Sequence, residues 1–140
     1  MKYLLDTCVL SELIKKNPSR KVTGWIAGID ESDLFISVLT IGEIHKGIEK
    51  LPGSKKKEKL HQWVNVDLSE RFANRIIDFD FRTAAVWGRI QAHSELSGRG
   101  MPAIDGLIAA TGIAFELTVV TRNLSDMEIS GAILFSPWDS

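Results

Sequence analysis

Short apolar runs alternate with helix-like segments along this chain, and that alternation most constrains its fold. The runs lie at residues 3–5, 34–38, 75–79, 117–121 and 133–135, and branched or aromatic side chains make them typical of strands. Between them, apolar residues recur at helical spacing. Strands that alternate with helices predict an α/β domain with a mainly parallel central sheet.

Length and charge limit the classes of protein to which this chain can belong. Its 140 residues match one compact domain and no linker divides them, so we predict a single domain over 1–140. Lys and Arg number 17 against 18 Asp and Glu, which gives a formal net charge of -1. This balance excludes nucleic-acid binding through whole-surface positive charge, although a local basic patch stays possible.

The amino terminus and the single cysteine point to one compartment. Cys8 has no partner for an internal disulfide, which favours a reducing environment. Asp6 lies where a secretory signal needs its apolar centre. No apolar run approaches the ~20 residues that span a bilayer. We therefore expect a cytoplasmic protein that does not contact the membrane.

Acidic and amide side chains follow the predicted strands at the points where each strand ends or the next helix begins. They are Asp6, Glu43, Asp105, Asn123 and Asp126. Carboxyl ends of parallel strands meet at one edge of a sheet, where such folds bind ligands. Carboxylates that converge there repel one another unless a cation joins them, and oxygen ligands suit Mg²⁺, with Mn²⁺ as substitute. A metal held in this way fits phosphodiester hydrolysis.

Each acid also has a purely local explanation. Asp6 is a helix cap in its own right. Residues 40–43 form a capping-box pattern that ends in Glu43, for a helix predicted from about Ile41. The helix dipole favours Asp105 in a first turn, and Asp126 is suited to cap a short helix over residues 127–128. Only the predicted convergence of these acids favours a site.

Five segments resemble, in order, the motifs of PIN-domain proteins, particularly the VapC and FitB-like toxins of type II toxin–antitoxin pairs. They are LLDTCVLSEL at 4–13, SVLTIGEIHKGI at 37–48, PAIDGLIAAT at 102–111, VVTRN at 119–123 and SPW at 136–138. One such match is weak. All five in register span nearly the whole chain, and together they predict membership of that family.

The resemblance implies a three-layer α/β/α fold and a magnesium-dependent endoribonuclease toxin that hydrolyses RNA phosphodiester bonds. It also implies a homodimer, inhibition by a cognate antitoxin, and contact with DNA only through the antitoxin complex. By position, Asp6 and Asp105 resemble the family's principal metal ligands, and Glu43 the residue that completes the acidic site. Thr121 resembles the hydroxyl residue that orders the pocket.

Two positions depart from the family pattern. Cys8 replaces a common Asn, and we expect it to act as a small buried apolar residue. Asn123 stands where many relatives carry a fourth acid, and Asp126 is the alternative that completes the site from the next turn. Arg122 is the expected phosphate contact.

Two rival functions remain open from the sequence. A catalytically weak PIN-like module would act through antitoxin binding and DNA-bound autoregulation, and Asn123 keeps this reading open. A receiver-like or phosphatase domain would use Asp6 as a nucleophile, although no Asp-x-Asp pattern surrounds that residue.

Overall fold

The structure, a computed structural model, describes residues 1–139 and contains a five-stranded sheet. The strands are β1 (Tyr3–Leu5), β2 (Leu34–Ser37), β3 (Ile76–Ile77), β4 (Thr118–Val120) and β5 (Leu134–Phe135). Each lies inside a run that the sequence predicts as a strand. The predicted strand positions are therefore confirmed.

All neighbouring strands pair in parallel, in the order β3-β2-β1-β4-β5. Leu4 of the central strand lies opposite Phe35 on one side and Val119 on the other. Receiver domains have the strand order 2-1-3-4-5. The receiver-like alternative is therefore wrong for this chain.

Helices connect the strands and cover both faces of the sheet. They are α1 (Thr7–Leu13), α2 (Arg20–Ala27), α3 (Val38–Glu49), α4 (Lys55–Gln62), α5 (Ser69–Arg71), α6 (Phe81–Leu96), α7 (Ala103–Ala114) and α8 (Leu124–Met127). From the sequence, Asp80 is predicted to cap the helix that follows it, and this is confirmed, because Asp80 Oδ1 accepts a hydrogen bond from the Thr83 amide at 2.8 Å. Within residues 1–139, no helix combines the length and apolarity needed to cross a membrane.

Side chains of β1 and β2 alternate between two apolar cores, as a strand requires. Leu5 and Ile36 pack on one face with buried residues of α1, α2 and α3 and with Val64 and Leu68, which follow α4. Leu4 and Phe35 pack on the other face with Ile108 of α7. Each buried leucine stabilises the fold by roughly 1.5–3 kcal/mol relative to an exposed one. These two cores confirm the three-layer α/β/α arrangement.

The start of α3 differs from the sequence prediction. The helix begins at Val38 rather than near Ile41, and Ser37 caps it by accepting a hydrogen bond from the Leu39 amide at 3.0 Å. Thr40 is fully buried inside the first turn. The predicted capping box over residues 40–43 is therefore wrong, because the first turn already has its cap at the end of β2.

Candidate active site

Asp6 lies at the centre of the carboxyl edge of the sheet, directly after β1. It caps α1, and its Oδ1 accepts a hydrogen bond from the Thr7 amide at 2.8 Å. Its Oδ2 accepts one from Thr121 Oγ1 at 2.8 Å, and the Cys8 thiol lies 3.8 Å from the same oxygen. The carboxyl is only 4% exposed. Burial raises its pKa, and the hydrogen bonds from Thr121, Thr7 and Cys8 partly offset this rise.

Thr121 joins β4 to this carboxylate. Its side chain is fully buried, and its Oγ1 also accepts a hydrogen bond from the Asn123 backbone amide at 3.0 Å. One hydroxyl therefore orients Asp6 and holds the chain that leaves β4. The Asn123 side chain is exposed and makes no capping hydrogen bond to α8.

Asp105 lies in the first turn of α7, as the sequence predicts, and its pKa is raised to about 6. Burial is the largest cause, followed by the negative charges of Asp6, Asp126 and Glu43. Every one of these influences raises the pKa, and no cationic side chain of residues 1–139 lowers it. The fold therefore brings the four acids into one electrostatic cluster.

Glu43 is held in the cluster by α1. Thr7 Oγ1 donates a hydrogen bond to Glu43 Oε1 at 2.5 Å. The two residues lie 36 positions apart and are brought together by the α1–α3 packing. Thr7 is a site residue that the sequence prediction missed, although its place directly after Asp6 in the first motif was a signal.

Asp126 enters the cluster from α8. That helix begins at Leu124, so Asp126 lies inside its first turn and the predicted capping role is wrong. Its charge contributes to the raised pKa of Asp105. Between the two candidates for a fourth polar residue, the structure brings the carboxylate of Asp126 near the other acids, while Asn123 contributes its backbone amide to Thr121.

Cys8 differs from its predicted role as a small buried apolar residue. It is half-buried, and its sulfur accepts a hydrogen bond from the Arg122 backbone amide at 3.4 Å. Burial and the nearby Asp6 charge raise the pKa of the thiol. The side chain thus belongs to the polar network around Asp6.

The cluster is built from oxygen donors, which suit a hard divalent cation and not zinc. In the described part of the chain, no three Asp, Glu, His or Cys side chains already stand close enough together to hold an ion.

Comparison with known proteins identifies the family of the chain. A family model described as PIN domain matches residues 3–125. The chain belongs to the PIN-domain family. Its match includes Asp6, Glu43, Asp105, Thr121 and Asn123 but ends one residue before Asp126.

Curated PIN-domain relatives align over nearly their full length. Toxin FitB of Neisseria gonorrhoeae is 34% identical over 135 residues, which are 96% of this chain and 97% of the relative. The VapC ribonuclease Y4jK of Sinorhizobium fredii is 31% identical, over 97% of each protein.

Solved structures of such proteins share the fold. The crystal structure of FitAcB from Neisseria gonorrhoeae has a chain that matches with a TM-score of 0.93 and 33% identity, covering 99% of each chain. The structure of VapBC2 from Rickettsia felis bound to a promoter DNA fragment contains a chain with a TM-score of 0.79 and 28% identity, over 97% of this chain and 98% of that one.

Proposed function

We propose that this protein is a metal-dependent endoribonuclease toxin of a type II toxin–antitoxin pair. One observation supports it above all: the pKa of Asp105 is raised to about 6, first by its burial and then by the negative charges of Asp6, Asp126 and Glu43. Carboxylates that repel one another in this way destabilise the fold unless a bound cation offsets their charge. Relatives named ribonuclease VapC and Toxin FitB support the same activity and biological role.

The ion that fits best is Mg²⁺, with Mn²⁺ as a substitute. Asp6, Glu43 and Asp105 would hold it, because each offers carboxylate oxygen at the same edge of the sheet. When bound, such an ion polarises a phosphate oxygen and lowers the pKa of a bound water.

The protein's own residues prepare this site. Thr121 and Thr7 hold the Asp6 and Glu43 carboxylates in place through hydroxyl donors. Asp126 adds negative charge from α8 and would be the general base of the site. The chain needs no covalent nucleophile for direct hydrolysis of an RNA phosphodiester.

The decisive experiment is cleavage of total RNA by purified, antitoxin-free protein with Mg²⁺, with Mn²⁺ and with EDTA. The Asp105→Asn variant runs beside the wild type and reveals contaminating nuclease. We expect metal-dependent cleavage by the wild type and none by the variant. Equal cleavage by both proteins, or none by a well-folded wild type on any RNA class, contradicts the proposal and favours the catalytically weak module.

A cognate antitoxin is the proposed protein partner. An apolar groove begins beside Thr7 and Glu43 and ends beside Lys15, Lys16 and Lys56. Its apolar lining comes from α3, α4 and residues that follow α1, α3 and α4: Ile14, Ile44, Ile48, Leu51, Leu60 and Trp63. This groove suits an amphipathic segment with a basic side chain at the acidic end and acidic side chains at the lysine end. Solved FitAB and VapBC complexes are consistent with such a partner.

Three further features belong to the same proposal. A homodimer would cover apolar side chains such as Phe81 and Leu96, which are 94% and 89% exposed at the two ends of α6. DNA would be contacted only through the antitoxin complex, since the chain's formal net charge is -1. The compartment would be the cytoplasm, where the lone Cys8 stays reduced.

A further inference from the structure

The strand that leads into the acidic cluster places an arginine at its rim. Arg122 directly follows Thr121, and its backbone amide donates to Cys8 Sγ at 3.4 Å. The next amide, that of Asn123, is held by Thr121 Oγ1 at 3.0 Å. The backbone of Arg122 is therefore anchored on both sides to groups that contact Asp6.

The Arg122 side chain is exposed and yet supported. Its guanidinium carbon lies 5.2 Å from the centre of the Trp138 ring, within the range of a cation–π contact. Trp138 is itself half-buried and packs against the apolar core of α1–α4. The indole thus offers a fixed surface that orders the guanidinium beside the site.

The guanidinium donors of Arg122 have no acceptor in the described part of the chain. Within residues 1–139, its guanidinium forms no ion pair and no hydrogen bond. Four of the six other arginines are engaged: Arg71 and Arg75 pair with Glu31, Arg99 pairs with Glu128, and Arg82 donates to the Ala114 carbonyl. Arg122 is therefore an ordered arginine with an unused planar set of N–H donors.

From this geometry we propose that Arg122, supported by Trp138, binds a phosphate of the RNA strand next to the bond that is cleaved. The inference rests on the proposed ribonuclease function. A stacked guanidinium keeps its in-plane N–H groups free, and two of them match two oxygens of one phosphate. A polyanion that approaches four acids also needs a cation at the rim, and Arg122 supplies one without neutralising Asp105.

The test separates binding from cleavage. Binding of a fluorescent random-sequence single-stranded RNA is measured by anisotropy in EDTA at several salt concentrations, and cleavage of the same RNA is measured with Mg²⁺. The variants are Arg122→Met and Arg122→Lys. The matched control is Arg89→Met. Arg89 is an exposed residue of α6 that lies beside Gly131 and beside Ile113, which is at the opposite end of α7 from Asp105.

We expect Arg122→Met to weaken RNA binding roughly tenfold and to lower the dependence of log Kd on log salt by about one. The KM for RNA cleavage should rise as the affinity for RNA falls. Arg122→Lys should keep the salt dependence and lose part of the affinity, because lysine carries the charge without the planar donors. Arg89→Met should match the wild type.

A double-mutant cycle tests the positioning role of Trp138. Trp138→Phe should weaken RNA binding in the wild-type background and have no effect in the Arg122→Met background, a pattern that a purely structural role would not produce. Thermal unfolding of each variant verifies its fold. Equal losses in both backgrounds would overturn the role of Trp138.

The outcomes for Arg122 are distinct from those for the proposed function. If the wild type cleaves RNA and Arg122→Met behaves like Arg89→Met, the phosphate contact is overturned and the ribonuclease stands. If the wild type binds RNA without cleaving it, the ribonuclease fails, and the binding comparison still decides Arg122. If the wild type neither binds nor cleaves RNA, both are overturned.

Discussion

Thr121 and Asp6 are 115 positions apart in sequence, and the hydroxyl of Thr121 donates to Asp6 Oδ2 at 2.8 Å. Both atoms belong to nearly inaccessible side chains. The bond exists because β1 and β4 are adjacent and parallel, with Leu5 opposite Val120, so the residues that follow the two strands meet. A carboxylate at this position would otherwise be buried without a side-chain hydroxyl donor.

Removal of that donor should damage the site more than the fold. In Thr121→Val, Asp6 loses one of its hydrogen bonds, so its pKa should rise further and unfolding should become easier by about 1–3 kcal/mol. RNA cleavage should fall, and more Mg²⁺ should be needed to restore it. Thr121→Ser keeps the hydroxyl and is the control. Equal metal requirements for the Val and Ser variants would show that the hydrogen bond does not support the site.

The raised pKa of Asp105 predicts a pH-dependent cost to stability. Between its ordinary pKa of 3.8 and about 6, the folded protein binds more protons than the unfolded chain, so the stability of the metal-free protein falls as pH rises through this window. Asp105→Asn lacks the charge. It should match the wild type in stability below pH 3.8 and be more stable above pH 6, by about 1–2 kcal/mol because water still reaches the half-buried carboxylate. Urea unfolding in EDTA across this range measures the difference, and a constant offset at all pH values would contradict it.

A bound metal ion should offset the loss of stability that the ionised Asp105 carboxylate causes. At neutral pH, Mg²⁺ or Mn²⁺ should raise the Tm of the wild type, with about 2.7 kcal/mol of stabilisation at a free concentration 100 times Kd. Asp105→Asn should show a much smaller rise, since its amide neither carries charge nor repels the other acids. Calorimetry in Ca²⁺-free buffer with increasing Mg²⁺ measures the Tm of both proteins. A Tm that rises equally in the two proteins would place the ion elsewhere.

Packing behind the site should tolerate little change at Gly112 of α7. A Cβ there would lie 2.5 Å from Val119 Cγ2 and 3.2 Å from the Leu117 carbonyl oxygen. Gly112→Ala should therefore destabilise the protein by roughly 1–3 kcal/mol, since a β-branched side chain and backbone must move. Gly88→Ala in α6 is the control, because its Cβ meets nothing within 4 Å. It should stabilise the helix by about 0.5–1 kcal/mol, and similar denaturation midpoints for the two variants would contradict the packing argument.

The apolar groove predicts a variant that resists inhibition. Ile14 is 43% exposed and lines the groove between the acidic and lysine ends. Ile14→Glu should keep RNA cleavage and weaken inhibition by the cognate antitoxin at least tenfold, because a charge then faces an apolar segment. Ile133→Glu is the control, because Ile133 is exposed and lies directly before β5, outside the groove. Antitoxin titrations of the cleavage reaction should separate the two, and equal inhibition would place the antitoxin elsewhere.

Local patterns in the sequence were sufficient for the strands, for the Asp80 cap and for Asp105 in a first helical turn, because each depends on residues a few positions apart. The start of α3 was not predictable in this way. Ser37 and Thr40 both suit a cap, and the choice was made by the end of β2, which leaves Ser37 extended, and by the core, which buries Thr40.

The sequence by itself determined which acids the chain carries and that they follow strands. Only the tertiary structure decided which of them meet. The Thr7–Glu43 and Thr121–Asp6 hydrogen bonds and the influence of Asp126 on Asp105 depend on the strand order and on the packing of α1 against α3. No local spacing encodes these long-range arrangements, because they form only when distant segments pack against one sheet.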